Sequence, residues 1–101
     1  KTGLISTQTI YSSYVAAGKG MSMHYVFILR SIKFKDKFYT GRTTDLVRRL
    51  AEHNRHENEY TSRYKPWLIK TYVAFQTKEP AISFEKYLKT PSGRAFAKKR
   101  L

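Results

Sequence analysis

His24-Tyr25-Val26-Phe27-Ile28-Leu29-Arg30-Ser31-Ile32, followed shortly by Lys37-Phe38-Tyr39-Thr40-Gly41, is the stretch that decides how this chain folds. Nearly every position from His24 to Ile32 is apolar, and its β-branched and aromatic side chains suit a strand buried on both faces, so a central strand is expected there. The basic, polar segment from Ile32 to Lys37, around Asp36, supplies a turn. Lys37-Phe38-Tyr39-Thr40 then resumes as a strand, and the two runs most simply form an antiparallel hairpin. Tyr39-Thr40-Gly41 reads as an aromatic-glycine turn that leads into a helix.

Outward from the hairpin the punctuation is clear. Thr43 or Thr44 is a good N-cap, Asp45 suits the positive end of a helix dipole, and Leu46, Val47, Leu50 and Ala51 make one apolar arc, which predicts a helix from Asp45 to His53. The polar stretch from Asn54 to Lys65 reads as a loop, and Trp67 to Phe75, opened by Pro66, as a third strand. A second helix is expected from near Pro80 to Lys89, since proline is favoured in a first turn. Pro91-Ser92-Gly93 breaks it, and Ser92 can cap a last short helix carrying Arg94, Lys98, Lys99 and Arg100.

With 101 residues there is room for one domain and one modest core. The chain is 41% hydrophobic and 15% aromatic with five Gly and three Pro, which is a globular composition. Cysteine is absent, so disulfides and thiolate zinc sites are excluded. Twenty Lys and Arg against seven acids give a formal charge of +13, a balance that favours a polyanionic partner, with nucleic acid first in line. No window approaches the ~20 apolar residues that cross a bilayer, and a cytoplasmic, non-membrane protein is expected. Residues 1–20 stand apart: rich in Ser, Thr, Gly and Ala, they hold only Lys1 and Lys19 as charges and read as an N-terminal extension or a remnant of preparation, with Met21 opening the domain at 21–101.

Chemistry concentrates in four residues. On a helical wheel Arg49 and His53 lie four apart on one side, beside Leu46, while Asp45, Arg48 and Glu52 take the wet side. A guanidinium at the edge of a core can hold a phosphate through planar, forked donors, or simply cover apolar surface with its stem. Glu85 falls inside the apolar arc Ala81, Ile82, Phe84 and Leu88, so its carboxylate needs a cation, a donor network or water at a cleft mouth. Oxygen ligation there suits Mg2+ or Mn2+; a salt bridge is the plainer reading. Tyr39 is weakly basic at neutral pH unless positive charge nearby favours phenolate, which Arg42, Arg49 or a bound cation could supply. The interleaved Tyr60, Arg63 and Lys65 can stack on bases and bind phosphates.

Taken together, Tyr25-Val26-Phe27, Tyr39-Thr40-Gly41, Arg49 ten positions beyond Tyr39, and a late Glu85 resemble the GIY-YIG nuclease family over residues 24–101. The two triplets stand where that family keeps GIY and YIG. The resemblance implies a compact α+β domain, a small, mainly antiparallel three-stranded sheet flanked by helices. It also implies a divalent-metal-dependent endonuclease, acting on DNA ahead of RNA, in which Glu85 holds Mg2+ or Mn2+, Arg49 stabilises the transition state, Tyr39 assists the attacking water and His53 relays a proton. Arg42, Tyr60, Arg63 and Lys65 are the expected nucleic-acid contacts. Phe27 departs from the pattern, because it lacks the hydroxyl that normally ends GIY; a binding module with weak or no catalysis on the same scaffold is the alternative.

Overall fold

The computed structural model describes residues 22–55 and 58–101; the expected extension at 1–20 lies outside them. Strand β1 (His24–Ser31) is the middle of a three-stranded antiparallel sheet of order β2-β1-β3, with β2 (Phe38–Thr43) and β3 (Trp67–Phe75) as its edges. The central position explains the unbroken apolar run, because alternate side chains of β1 enter two different cores. Tyr25, Phe27 and Leu29 pack with Leu46, Trp67 and Ile69 on one face, whereas Val26 and Ile28 pack with Ala81 and Leu88 on the other. The α+β architecture expected from the sequence is the one observed.

Helices cover both faces. Over the first lie α1 (Leu46–Arg55) and the short α2 (Glu59–Arg63); over the second lies α3 (Lys78–Leu88), against which α4 (Pro91–Arg100) packs. Register is tuned by an irregularity between Ile28 and Leu29, where Thr71 pairs with Ile28 but Ile69 pairs with Leu29. Lys70 is thus an extra residue that resets the alternation, so that Trp67, Ile69 and Tyr72 all serve the first core. Among the described residues no helix is long and apolar enough to cross a membrane.

Several local expectations need correction. Tyr39-Thr40-Gly41 is not a turn: β2 continues through it to Thr43. Gly41 lies directly across from Phe27, and a Cβ there would meet the Phe27 Cζ at 2.7 Å and the Tyr39 Cε2 at 3.1 Å. Glycine is present so that an aromatic ring can lie over the strand. The cap of α1 is Asp45, whose Oδ1 accepts from the Arg48 N–H at 3.1 Å, while Thr43 Oγ1 accepts from the Asp45 N–H at 3.0 Å. The buried side of α1 is Leu46 and His53 with Leu50 partly covered; Val47 and Ala51, assigned to the apolar arc, are exposed.

The expected loop from Asn54 to Lys65 is partly helical. It holds the end of α1 and all of α2, the latter closed by a capping box between Asn58 and Thr61. Polar residues misled here because they serve as fasteners: the Asn54 side chain accepts from the Trp67 N–H and donates to the Trp67 carbonyl, tying α1 to the start of β3. The Trp67 indole N–H donates to the Thr61 carbonyl at 2.8 Å. Further on, α3 begins at Lys78, with Pro80 inside its first turn, where no intrahelical N–H is needed. Pro91 starts α4 instead of merely ending α3, and Thr90, not Ser92, is the cap, its Oγ1 accepting from the Gly93 N–H at 3.0 Å. A Cβ on Gly93 would overlap the Tyr87 carbonyl, which fixes the tight corner between the two helices.

Candidate active site

The two faces of β2 carry different chemistry. Tyr39 pairs with Leu29 and so stands on the first face; Arg42 pairs with Val26 and so stands on the second. On the first face the Tyr39 ring meets the His53 ring at 4.6 Å between centroids, and Phe27 contacts both, at 6.4 Å and 6.2 Å. His53 is fully buried because it occupies the turn of α1 that faces this aromatic cluster. Tyr39 remains half-buried, at the open edge of the sheet.

Arg49 lies one turn before His53 on α1 and is not left to solvent. Its Nη1 donates to Glu52 Oε1 at 2.9 Å, with Arg48 Nε 3.7 Å from the other oxygen of the same carboxylate. The hydrogen bond from Arg49 holds the Glu52 carboxyl below the usual carboxylate range; partial desolvation opposes this, and the charges of Arg48, Arg49 and Arg55 reinforce it. Glu52 was assigned to the wet side with Arg48. Its offset of three positions from Arg49 is the signal that pairs them, since such residues are neighbours on a helix.

On the second face Glu85 confirms its anomaly. Its side chain keeps 20% of its exposure, and its two oxygens meet two cations: Arg42 Nε at 3.3 Å and Lys89 Nζ at 3.1 Å. The Lys89 partner was readable from the sequence, four residues on with the acid N-terminal, the favourable order on a helix. The Arg42 partner was not, because it is 43 residues away and reaches Glu85 only through the packing of α3 on the sheet. One carboxylate suits Mg2+ or Mn2+ when water and substrate phosphate complete the shell, but both oxygens of Glu85 are already paired, so an ion there would have to displace Arg42 or Lys89. Among the described residues no group of three or more His, Cys, Asp and Glu side chains is placed to hold a metal ion.

The expected nucleic-acid contacts fall in a third place. Tyr60 lies on α2, where its hydroxyl donates to the Phe38 carbonyl at 2.9 Å and its ring contacts Tyr39, Tyr64 and Trp67, yet it stays 40% exposed. Arg63 is exposed, 3.9 Å from Glu59. Lys65 Nζ donates to the Arg55 carbonyl at the end of α1. Of this set Arg42 joins Glu85 and Tyr60 joins Tyr39, whereas Arg63 and Lys65 meet residues outside the candidate site.

Comparison with known proteins follows the same outline. The model of the GIY-YIG catalytic domain matches residues 23–100. The chain belongs to the GIY-YIG family. A UPF0213 protein of Streptococcus pyogenes serotype M3 is 38% identical over 73 residues, covering 70% of this chain and 76% of that protein. A UPF0213 protein of Haloquadratum walsbyi is 37% identical over 68 residues, covering 66% and 74%. Those names carry no activity, and no solved structure matches the chain significantly. Membership in GIY-YIG points to a nuclease-type domain that engages nucleic acid and to the divalent metals such nucleases generally use.

Proposed function

We propose that this chain is a metal-dependent endonuclease that hydrolyses phosphodiester bonds of nucleic acid, DNA ahead of RNA, in the cytoplasm. One observation carries the reading: the edge strand β2 presents Tyr39, packed against a buried His53, on one side and the Arg42–Glu85 pair on the other. A phosphate laid along that edge is open to both. Water attacks phosphorus, the bond to the 3′ oxygen breaks, and the products are a 5′-phosphate and a 3′-hydroxyl. Tyr39 accepts or relays the proton lost by the water, with His53 behind it. Arg49, released from Glu52 by the incoming phosphate, donates to the oxygens on which charge accumulates, and Arg42 orients the chain at the edge. A divalent ion bound at Glu85 would supply Lewis-acid stabilisation of that charge.

Phe27 supports a second reading, a binder with little catalysis, because the buried ring offers no hydroxyl to the water. Incubation of the chain with branched, duplex and single-stranded substrates in Mg2+, Mn2+ or EDTA separates the two. Metal-dependent nicking is the expected result. Binding that never yields cleavage in any metal would retire the enzyme and keep the binder.

A further inference from the structure

The tip of the β1–β2 hairpin is built with more care than a turn requires. Ser31 is fully buried, and its hydroxyl donates to the Tyr64 carbonyl at 2.6 Å while accepting from the Phe34 N–H at 3.0 Å. The Ile32 N–H donates to the Pro66 carbonyl at 2.9 Å, and the Lys37 N–H to the Phe34 carbonyl at 2.9 Å. The tip is therefore fastened to the segment that follows α2. What it displays is apolar: Ile32, Phe34 and Phe38 are 47%, 45% and 43% exposed. Phe34 sits edge-on to Tyr64 at 5.3 Å, with Lys37 Nζ 5.3 Å and Arg63 Cζ 5.9 Å from the Tyr64 centroid. Lys33 and Lys35 flank Phe34 and are exposed.

We infer that this tip is a stacking platform for unpaired nucleotides, so that the nucleic acid taken by the nuclease site carries a single-stranded segment beside the bond that is cut. The inference rests on the nuclease reading and names its substrate class. A ring fixed in place, half exposed and bracketed by lysines matches the chemistry of single-strand binding, where basic groups follow the phosphates and aromatic faces receive the bases. A paired base has its faces already stacked, so a fully paired duplex offers the ring nothing. Local charge agrees, with Lys33, Lys35, Lys37, Arg63 and Lys65 against Asp36 and Glu59. The platform is also continuous with the candidate site: Phe34 to Tyr64, Tyr64 to Tyr60 and Tyr60 to Tyr39 are ring-to-ring steps of 5.3, 5.0 and 6.4 Å. A strand of a few nucleotides can follow that row.

The test is binding in EDTA, by fluorescence anisotropy of the whole chain with labelled oligothymidylate, blunt duplex, and duplex bearing an unpaired oligothymidylate tail. Phe34→Ala is expected to weaken binding of the single strand and the tailed duplex about tenfold, the scale of losing one stacked base, while leaving blunt duplex unchanged. Phe34→Trp is expected to restore it, and because residue 34 is on an exposed loop both variants should keep the wild-type melting temperature within a few degrees. Unchanged single-strand affinity in Phe34→Ala, or an equal loss on blunt duplex, overturns the inference. So does sedimentation that finds a wild-type dimer dissolved by Phe34→Ala with single-strand affinity intact, which would assign the tip to self-association. A chain that binds the tailed duplex through Phe34 yet never cleaves sinks the nuclease reading and spares the platform. One that cleaves blunt duplex, with tailed-strand binding indifferent to Phe34, does the reverse.

Discussion

The two faces of the sheet are built on different principles. Over α1 and α2 the core is aromatic: Phe27, Tyr39, His53, Tyr60, Tyr64 and Trp67 touch ring to ring, and the buried histidine is part of that packing. Over α3 the fully buried core is aliphatic, with Val26, Ile28, Ala81 and Leu88; its rings, Phe75 and Phe84, are only partly buried at the margin, where the ion-paired Glu85 also lies. Beside its aromatic cluster the first face carries the Arg49–Glu52 pair on α1, a cation already engaged by a carboxylate. The second carries the Arg42–Glu85–Lys89 cluster at its margin. Both faces reach the same open strand, which is why edge position matters more here than depth of burial.

The most severe break of this arrangement is Glu85→Ala. It removes the carboxylate of the second face and frees Arg42 and Lys89, so metal-dependent cleavage should fall to background while affinity for nucleic acid holds or rises. Nicking assays beside anisotropy check this. Wild-type cleavage at equal fold stability would take Glu85 out of the site and leave the second face a structural ion pair.

Arg49→Lys comes next, because it keeps charge but loses the planar fork. Binding should stay near normal and cleavage should slow about 10²-fold, the usual scale for one transition-state donor. Single-turnover rates against dissociation constants separate the two. A variant with full activity would mean that the first face needs only positive charge at that turn of α1.

The sequence carried most of this architecture and some of the candidate site's contacts, for identifiable reasons. β1 and β3 were legible because burial on both faces or in one strong core leaves an apolar pattern that few other structures share. Glu85 was legible as a conflict, a charge in an apolar arc. The extent of β2 was not, since a glycine in a strand looks like a turn until the opposing Phe27 ring explains it. Nor was α2, whose polar residues are spent on caps and on tying segments together. Contacts such as Arg42 with Glu85 depend on how α3 settles on the sheet, and no local pattern encodes that.

Phe27→Tyr tests the first face in the constructive direction. Phe27 is 1% exposed, but it stands on the Tyr39 side, and its ring tip lies against Gly41 on the edge strand. An added hydroxyl would extend past the glycine toward the open edge. Cleavage should rise up to about tenfold, the worth of one well-placed hydrogen bond of roughly 1 to 1.5 kcal/mol. If instead the hydroxyl is trapped, stability should drop by about 1 to 3 kcal/mol with no gain in rate, and thermal melts run beside the kinetics tell which has happened.

The smallest expected effect belongs to Glu52→Gln. Glu52 holds Arg49 in the free protein, so an incoming phosphate must compete with a carboxylate for the guanidinium. Its lowered pKa keeps that competitor charged throughout the neutral range; the link is lost only as pH falls through the lowered value, below the ordinary carboxylate range. At neutral pH the Gln variant should therefore bind nucleic acid about two- to fivefold more tightly at low salt, as befits an exposed pair, with the gain shrinking as salt rises. Acidification should erase the difference, because the wild-type carboxyl protonates and releases Arg49 by itself. A Gln variant that binds more weakly than the wild type at neutral pH, with the two converging in acid, would invert that sign, and would mean that Glu52 holds Arg49 in the geometry that receives the phosphate.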